Sequence, residues 1–296
     1  MTVTLAVILL LSVLIGLSLG LLGGGGSILT VPILTYVAGL EPQQAITVSL
    51  FVVGVTSLAS AGNHARNGRV KWKTGLLFGS AGVAGAFAGG TVGNHIPGTV
   101  LMVAFAAMML ATSAAMIRGR RATSAADPTV DMPMAKTLLT GGAVGLLTGL
   151  VGAGGGFLIV PALVLLGGLP MATAVATSLL VIAMNSMAGF AGHLTALNLD
   201  WPLTLGVTAA AIIGSLAGAR LAGRIPESAL RRGFGFIVLA MGVFVLMQEL
   251  PSPANLLVGI TAAALAAAAA LCWFAIPACP LRKTPPSPAP GTAETP

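Results

Sequence analysis

A single ungapped shift of 129 residues lays the first half of this chain on the second. It pairs Gly16 with Gly145, Gly20 with Gly149, Gly23 with Gly152, Gly25 with Gly154 and Pro32 with Pro161. Further along it pairs Gly39 with Gly168, Ser49 with Ser178, Ser57 with Ser186, His64 with His193, Trp72 with Trp201, Gly85 with Gly214, Gly89 with Gly218 and Pro97 with Pro226. Matches of histidine, tryptophan and proline in one register are rare by chance. The chain is therefore expected to fold as two related halves.

Each half carries the same unusual stretch, Gly20 to Pro32 in the first and Gly149 to Pro161 in the second, with glycines embedded in apolar sequence. Glycine runs ordinarily make flexible linkers, but linkers have polar flanks. The chain is 56% hydrophobic and only 7% charged, against about 25% charged residues in a soluble domain. Its mean hydropathy is +1.00. These values call for a membrane protein of several spans. At membrane depth, backbone that cannot hold an ordinary helix is tolerated only where it is buried in protein or lines a cavity. Both glycine runs are thus candidate binding elements. The net charge of +7 does not indicate a nucleic-acid face, because the fourteen Lys and Arg fall in short loops between apolar spans, the pattern that sets membrane topology. Cys272 and Cys279 give neither a disulfide framework nor a metal quartet. A cleaved leader is not expected, since the first span carries half of a repeated element.

Crossing a bilayer as helix takes about 20 apolar residues. Spans are expected at roughly 3–22, 43–63, 72–93, 98–117, 136–152, 171–192, 202–222, 229–248 and 254–275. Two shorter apolar pieces, 27–38 and 156–167, follow the glycine runs and read as half-helices or return arms of re-entrant hairpins. This divides the chain into a first membrane repeat (1–117), a cytoplasmic linker (118–134), a second membrane repeat (135–248), an extra C-terminal transmembrane helix (249–276) and a disordered cytoplasmic tail (277–296).

Charge sets the orientation. The loop after His64 carries Arg66, Arg69, Lys71 and Lys73, whereas its partner after His193 has only Asp200. The next pair of loops reverses this: 94–98 lacks Lys and Arg, while its partner carries Arg220, Arg224, Arg231 and Arg232. Basic loops lie in the cytoplasm, so equivalent loops face opposite sides. The expected fold is an all-α integral membrane protein with an inverted-topology repeat. Each half would be a broken, re-entrant helical hairpin plus three transmembrane helices, with the N-terminus outside and the C-terminus cytoplasmic. Trp72 and Trp201 read as interfacial anchors, and His95 as a loop residue. Gly75, Gly79, Gly82, Gly85 and Gly89, like Gly206, Gly214 and Gly218, read as helix-packing positions.

Broken helices expose backbone N–H groups and a positive dipole end, which suits an anion. Gly24, Gly25, Gly26 and Ser27, with Gly154, Gly155 and Gly156, are the first candidates to contact it. All seven acids (Glu41, Asp127, Asp131, Asp200, Glu227, Glu249 and Glu294) fall in loops, ends or the tail. A cation or drug antiporter normally needs a carboxylate inside the membrane. Polar residues of the second span in each half come next. Thr47, Ser49, Thr56 and Ser57 correspond to Ala176, Ser178, Asn185 and Ser186, with Thr177 beside them. From this group Ser49, Ser57, Thr177, Ser178 and Asn185 are taken as substrate-binding candidates. Asn185 is the strongest, since an amide facing lipid is costly. His64 and His193 close those spans at opposite faces and are candidates for gating or a proton relay. No catalytic constellation, phosphate-cradling loop, metal site or cofactor motif is present in the sequence.

The two motifs, Gly-Leu-Leu-Gly-Gly-Gly-Gly-Ser with its proline and Gly-Leu-Val-Gly-Ala-Gly-Gly-Gly with Val-Pro, are each followed by Ala-x-x-x-Ser-Leu (Ala45 to Leu50, Ala174 to Leu179). Together they closely resemble the sulfite exporter TauE/SafE family over about residues 5–248. The resemblance implies a multi-pass permease of the bacterial inner membrane for sulfur-containing anions such as sulfite, thiosulfate or organosulfonates. Its expected mechanism is alternating access, driven by the proton motive force. An anion channel and a non-transporting scaffold or assembly factor are the alternatives. The expected partners are a small anionic substrate and the lipid bilayer, not nucleic acid, with a homodimer left open.

Overall fold

The computed structural model describes residues 2–22, 25–66, 68, 70–118, 134–152, 154–165, 169, 171–193, 199–221 and 227–250. Among them the chain is helical, with no strand. The elements are α1 (Thr2–Leu22), a 3-10 turn (Gly25–Leu29), α2 (Thr30–Tyr36), α3 (Pro42–Arg66), α4 (Trp72–Gly93) and α5 (Gly98–Arg118). After the linker come α6 (Met134–Val151), α7 (Gly156–Leu165), α8 (Met171–His193), α9 (Trp201–Leu221) and α10 (Glu227–Glu249). Residues 119–133 of the linker, the expected span at 254–275 with Cys272, and the tail with Cys279 lie outside the described residues.

Local chemistry sets the helix ends. Pro42 opens α3, where its missing N–H is no loss. Before α9, the Asp200 carboxylate accepts the Leu203 N–H at 3.1 Å, an N-cap. Chain reversal after α2 uses Gly39 at φ +73°, with the Leu40 N–H on the Leu34 carbonyl at 3.1 Å. The same bond recurs 129 residues later, from Leu169 to Leu163 at 3.2 Å. At Gly39 this is the left-handed helix stop that glycine makes cheap.

Polarity is distributed inside out relative to a soluble protein. Leu10, Leu139 and Ile213 are 64%, 76% and 65% exposed, whereas Ser49, Ser57, Ser178, Asn185 and Ser186 are fully buried. Lipid imposes no penalty on exposed leucine, so interiors of membrane bundles can be built from small and polar side chains. Among the described residues four helices are long and apolar enough to cross a membrane: Pro42–Arg66, Trp72–Gly93, Thr173–His193 and Trp201–Leu221. Shorter apolar stretches run Leu5–Leu21, Ser27–Tyr36, Gly98–Ala114, Thr137–Val151 and Val238–Glu249.

Helix α1 packs on α9, α6 on α4, α3 on α8, and α5 on α10. Shifting by 129 residues turns the α1–α9 pair into α6–α4 and maps α3–α8 and α5–α10 onto themselves. The correspondence extends to single atoms. A Cβ at Gly16 would overlap the Ala211 carbonyl and one at Gly20 the Ser215 carbonyl; at Gly145 and Gly149 the obstacles are the carbonyls of Gly82 and Ala86. The backbones touch at four equivalent points, which only glycine permits. At the centre α3 and α8 run antiparallel: Gly54 meets Ser186 and Met187, while Leu50 meets Gly189.

Two apolar clusters hold the short helices. Ile28, Val31 and Leu34 pack with Ile46, Leu50, Phe105, Met109 and Val245. Ile159 and Leu163 pack with Leu19, Val53, Phe78, Leu179 and Ile182. Each short helix is therefore anchored by side chains of both halves.

Candidate functional site

The second glycine run breaks the helix outright. After Val151 the chain passes through Gly152 (φ +73°), Gly154 (φ +62°) and Gly155 (φ +71°) before α7 starts at Gly156. Those dihedrals strain any residue with a Cβ. Space forbids one as well, since a Cβ at Gly154 would overlap the Val53 side chain and lie 3.0 Å from Ser186 Oγ. Across the halves, Ser49 Oγ donates to the Gly152 carbonyl at 2.8 Å. This satisfies an acceptor that the broken helix abandons.

The first run resumes as the 3-10 turn, which includes Gly25, Gly26 and Ser27 and leads into α2. Ser27 is fully buried, and Gly24 lies outside the described residues. The 3-10 turn contacts α7, so the two breaks meet. Gly156 is the first residue of α7. The Leu158 and Ile159 N–H groups donate to the Gly155 carbonyl at 2.9 and 2.8 Å, which leaves the first two N–H groups, those of Gly156 and Phe157, ahead of the intrahelical bonds.

Helices α2, α3 and α8 carry a set of buried polar groups with no partner. Ser57 Oγ, Thr56 Oγ1, Ser186 Oγ, Thr30 Oγ1 and both amide atoms of Asn185 are buried and make no hydrogen bond. Thr56 and Asn185 are repeat equivalents, as are Ser57 and Ser186. An unsatisfied buried polar group costs about 1–3 kcal/mol, and native interiors hold few of them. Ser186 faces Gly154 and Gly54, and Asn185 packs against Gly82 of α4. Hydroxyl and amide donors beside a helix start, with no carboxylate among them, can bind an anion without a buried cation.

Other expected residues have partners within the protein. Thr177 Oγ1 accepts the Lys71 N–H at 3.1 Å, which caps the start of α4. Ser178 Oγ donates to the Val175 carbonyl at 2.8 Å and Thr47 Oγ1 to the Gln43 carbonyl at 2.8 Å, bonds by which membrane-helix hydroxyls satisfy themselves. Trp72 and Trp201 are about half exposed at helix starts. Glu249, at the end of α10, accepts the Tyr36 hydroxyl at 2.9 Å. His95 Nδ1 lies 3.0 Å from the Thr91 carbonyl in an exposed loop. No group of His, Cys, Asp or Glu among the described residues is placed to hold a metal.

The two histidines differ. His64 is partly buried near the end of α3. His193 is fully buried, with Nε2 2.9 Å from the Gly149 carbonyl and Nδ1 2.9 Å from Asn94 Oδ1. Asn94 is held by donating Nδ2 to the Gly192 carbonyl at 3.1 Å. In that orientation both ring nitrogens face oxygen acceptors, so the proton the ring carries is linked to the orientation of the Asn94 amide. The sequence reading assigns no role to Asn94 and leaves Ser186 outside the chosen set. The repeat register to Ser57 is the signal for Ser186; nothing local marks Asn94.

The helical fold, with apolar side chains exposed on its outside and hydroxyl and amide side chains buried within it, defines a multi-pass helical membrane protein. The chain belongs to the TauE/SafE sulfite exporter family, whose model matches residues 8–245. A "probable membrane transporter protein" of Xylella fastidiosa (strain Temecula1) is 36% identical over 247 residues, 80% of this chain and 92% of the relative. A protein of the same description from Methanocaldococcus jannaschii is 30% identical over 256 residues, 80% of this chain and 95% of its own. YdhB of Bacillus subtilis, also a "probable membrane transporter protein", is 28% identical over 228 residues, covering 76% and 93%. No solved structure matches the chain.

Proposed function

We propose that this protein is a secondary transporter for small sulfur-containing oxyanions such as sulfite, thiosulfate or organosulfonates. The observation that carries the reading is the buried, unpartnered hydroxyl of Ser186 beside the Gly154 break, together with the buried, unpartnered polar groups of Ser57 and Asn185 on the same two helices, α3 and α8. Each finds its missing partner in an oxyanion oxygen, so binding removes a penalty already present in the protein. The family description agrees with sulfur as the central atom.

In this reading the halves are inverted and the site is reached from either side in turn. Support comes from the antiparallel run of α3 against α8 and from the repeat-related pairing of α1 with α9 and α6 with α4. The charge asymmetry of the loops puts the N-terminus outside and the C-terminus in the cytoplasm of a bacterial inner membrane. His193 is the proposed coupling residue: its proton decides whether Asn94 ties the end of α4 to the end of α8. That is a two-state element of the kind a proton motive force can bias.

Flux of radiolabelled sulfite and thiosulfate into proteoliposomes tests the reading. Uptake under a pH gradient is expected, together with counterflow exchange at equilibrium. Absence of flux for every sulfur oxyanion under both a pH gradient and a membrane voltage would overturn it. Uncoupled flux without counterflow would make the protein a channel.

A further inference from the structure

The α3–α9 seam is the repeat counterpart of the α8–α4 seam, yet the two are built differently. Between α4 and α8 the backbones touch: a Cβ at Gly90 would lie 2.6 Å from the Gly189 carbonyl, and one at Gly192 2.7 Å from the Phe87 carbonyl. The counterparts of Gly189 and Gly90 on the other seam are Ser60 and Ala219. There the helices meet through a hydrogen bond between the buried hydroxyls of Ser60 and Ser215. Beyond it they part around a cleft of about 430 Å³ lined by Ala59, Gly62, Arg66, Leu216 and Arg220. A Cβ at Gly62 would meet nothing within 4 Å.

Arg66 and Arg220 both line this one cleft. Ala59, Gly62 and Arg66 recur at helical spacing on one face of α3, as Leu216 and Arg220 do on α9. A cation in the last turn of a helix is favoured by the dipole, which accounts for each arginine singly. It does not account for two like charges sharing a cleft, an arrangement that repels unless an anion lies between them. The acids preceding these two helices, Glu41 and Asp200, sit at the opposite ends, roughly 30 Å or more away by helical rise, and the acid that follows α9, Glu227, opens α10. The counterparts of Arg66 and Arg220 are Thr195 and Thr91, so the charge belongs to one seam only.

We infer that Arg66 and Arg220 together bind an oxyanion in the α3–α9 cleft, as a capture site separate from the Ser57–Ser186–Asn185 group. Arg–oxyanion contacts are charge-assisted and often bidentate. From Arg66 to Ser57 is nine residues of α3, about 14 Å of rise. The Ser60–Ser215 bond lies between them as a latch on the way in. The site's chemistry fits either a free sulfur oxyanion or the phosphate of an anionic lipid headgroup. Only the choice of sulfur oxyanions as cargo rests on the transporter reading.

Arginine protection tests it in the full-length protein. In nanodiscs of phosphatidylcholine, phenylglyoxal modification is followed by peptide mass spectrometry with and without thiosulfate. Thiosulfate is expected to protect Arg66 and Arg220 together, about tenfold, and to leave Arg118 unprotected. Protection given instead by adding phosphatidylglycerol assigns the site to a headgroup and still supports it. Equal modification of all three arginines under both conditions overturns it. Gly62→Leu, which fills the cleft and keeps both charges, should abolish the protection; protection that survives in a folded Gly62→Leu protein also overturns it. Lack of flux in proteoliposomes with protection intact would remove the transporter reading and leave the site. Flux with no protection would do the reverse.

Discussion

The α4–α8 and α3–α9 seams start from one sequence template and end as opposite kinds of contact. On the first, Gly90, Gly189 and Gly192 bring two backbones together, and His193 and Asn94 tie the helix ends. On the second, a serine pair holds the helices beside a two-arginine cleft. Four paired differences, Gly189 against Ser60, Ala86 against Ser215, Thr195 against Arg66 and Thr91 against Arg220, accompany this divergence. The comparison teaches that an internal repeat can preserve helix order and pairing while a few side chains decide how tightly a given seam closes. In a molecule proposed to expose its site on either side in turn, a closed seam and a parted one are the two conditions each gate must adopt.

The largest expected effect is on the tight seam. Gly192→Leu has no room, because the obstacle is the Phe87 backbone, and overpacking that cannot relax costs about 3 kcal/mol. Its thermal midpoint in nanodiscs should fall by several degrees, with transport lost. Gly62→Leu on the parted seam should melt like wild type yet transport poorly. Equal melting of the two variants would erase the distinction between the seams.

Next comes the break itself. Gly154→Ala combines a positive φ with overlap on Val53. It should cost about 1–3 kcal/mol and reduce proteoliposome flux more than tenfold, with expression retained. Flux equal to wild type would reduce Gly154 to a packing residue.

Smaller changes follow at the unpartnered donors. Ser57→Ala and Ser186→Ala remove hydroxyls that bond nothing in the protein, so stability should hold or rise by up to about 1 kcal/mol. The half-saturation concentration for flux should nonetheless rise about tenfold. A stability loss without a change in half-saturation would show hydroxyls that matter to the fold and not to the anion. His193→Gln should keep counterflow and lose the response to a pH gradient; a full response would exclude His193 from coupling. The smallest effect belongs to Ser60→Ala, which removes one neutral hydrogen bond worth about 1 kcal/mol. The parted seam should open about fivefold more often, measurable as faster phenylglyoxal modification of Arg66.

Much of the fold was legible before any coordinates. Helix positions such as Trp72–Gly93 and Trp201–Leu221 lie within a residue or two of the expected spans at 72–93 and 202–222, because lipid allows only long apolar helices and turn residues punctuate them. The glycine breaks were legible for the same reason. The proposed site was legible only in outline. Ser57 and Asn185 stand out as polar residues in apolar helices, but Thr177 carries the same signal and caps α4 instead. Sequence spacing along α8 cannot tell which hydroxyl finds a backbone partner and which is left without one.

The sequence by itself determined a membrane protein of two repeated halves, each with a helix broken at glycine, because composition, register and glycine chemistry act locally and leave no alternative. Only the tertiary structure decided that the two breaks touch, that Ser49 of one half satisfies the Gly152 carbonyl of the other, and that Asn94 holds His193. It alone separated the seam closed by backbone contact from the one parted around Arg66 and Arg220. The physical reason is that closure depends on backbone distances between residues about 100 positions or more apart, which the three-dimensional packing of the described helices sets together.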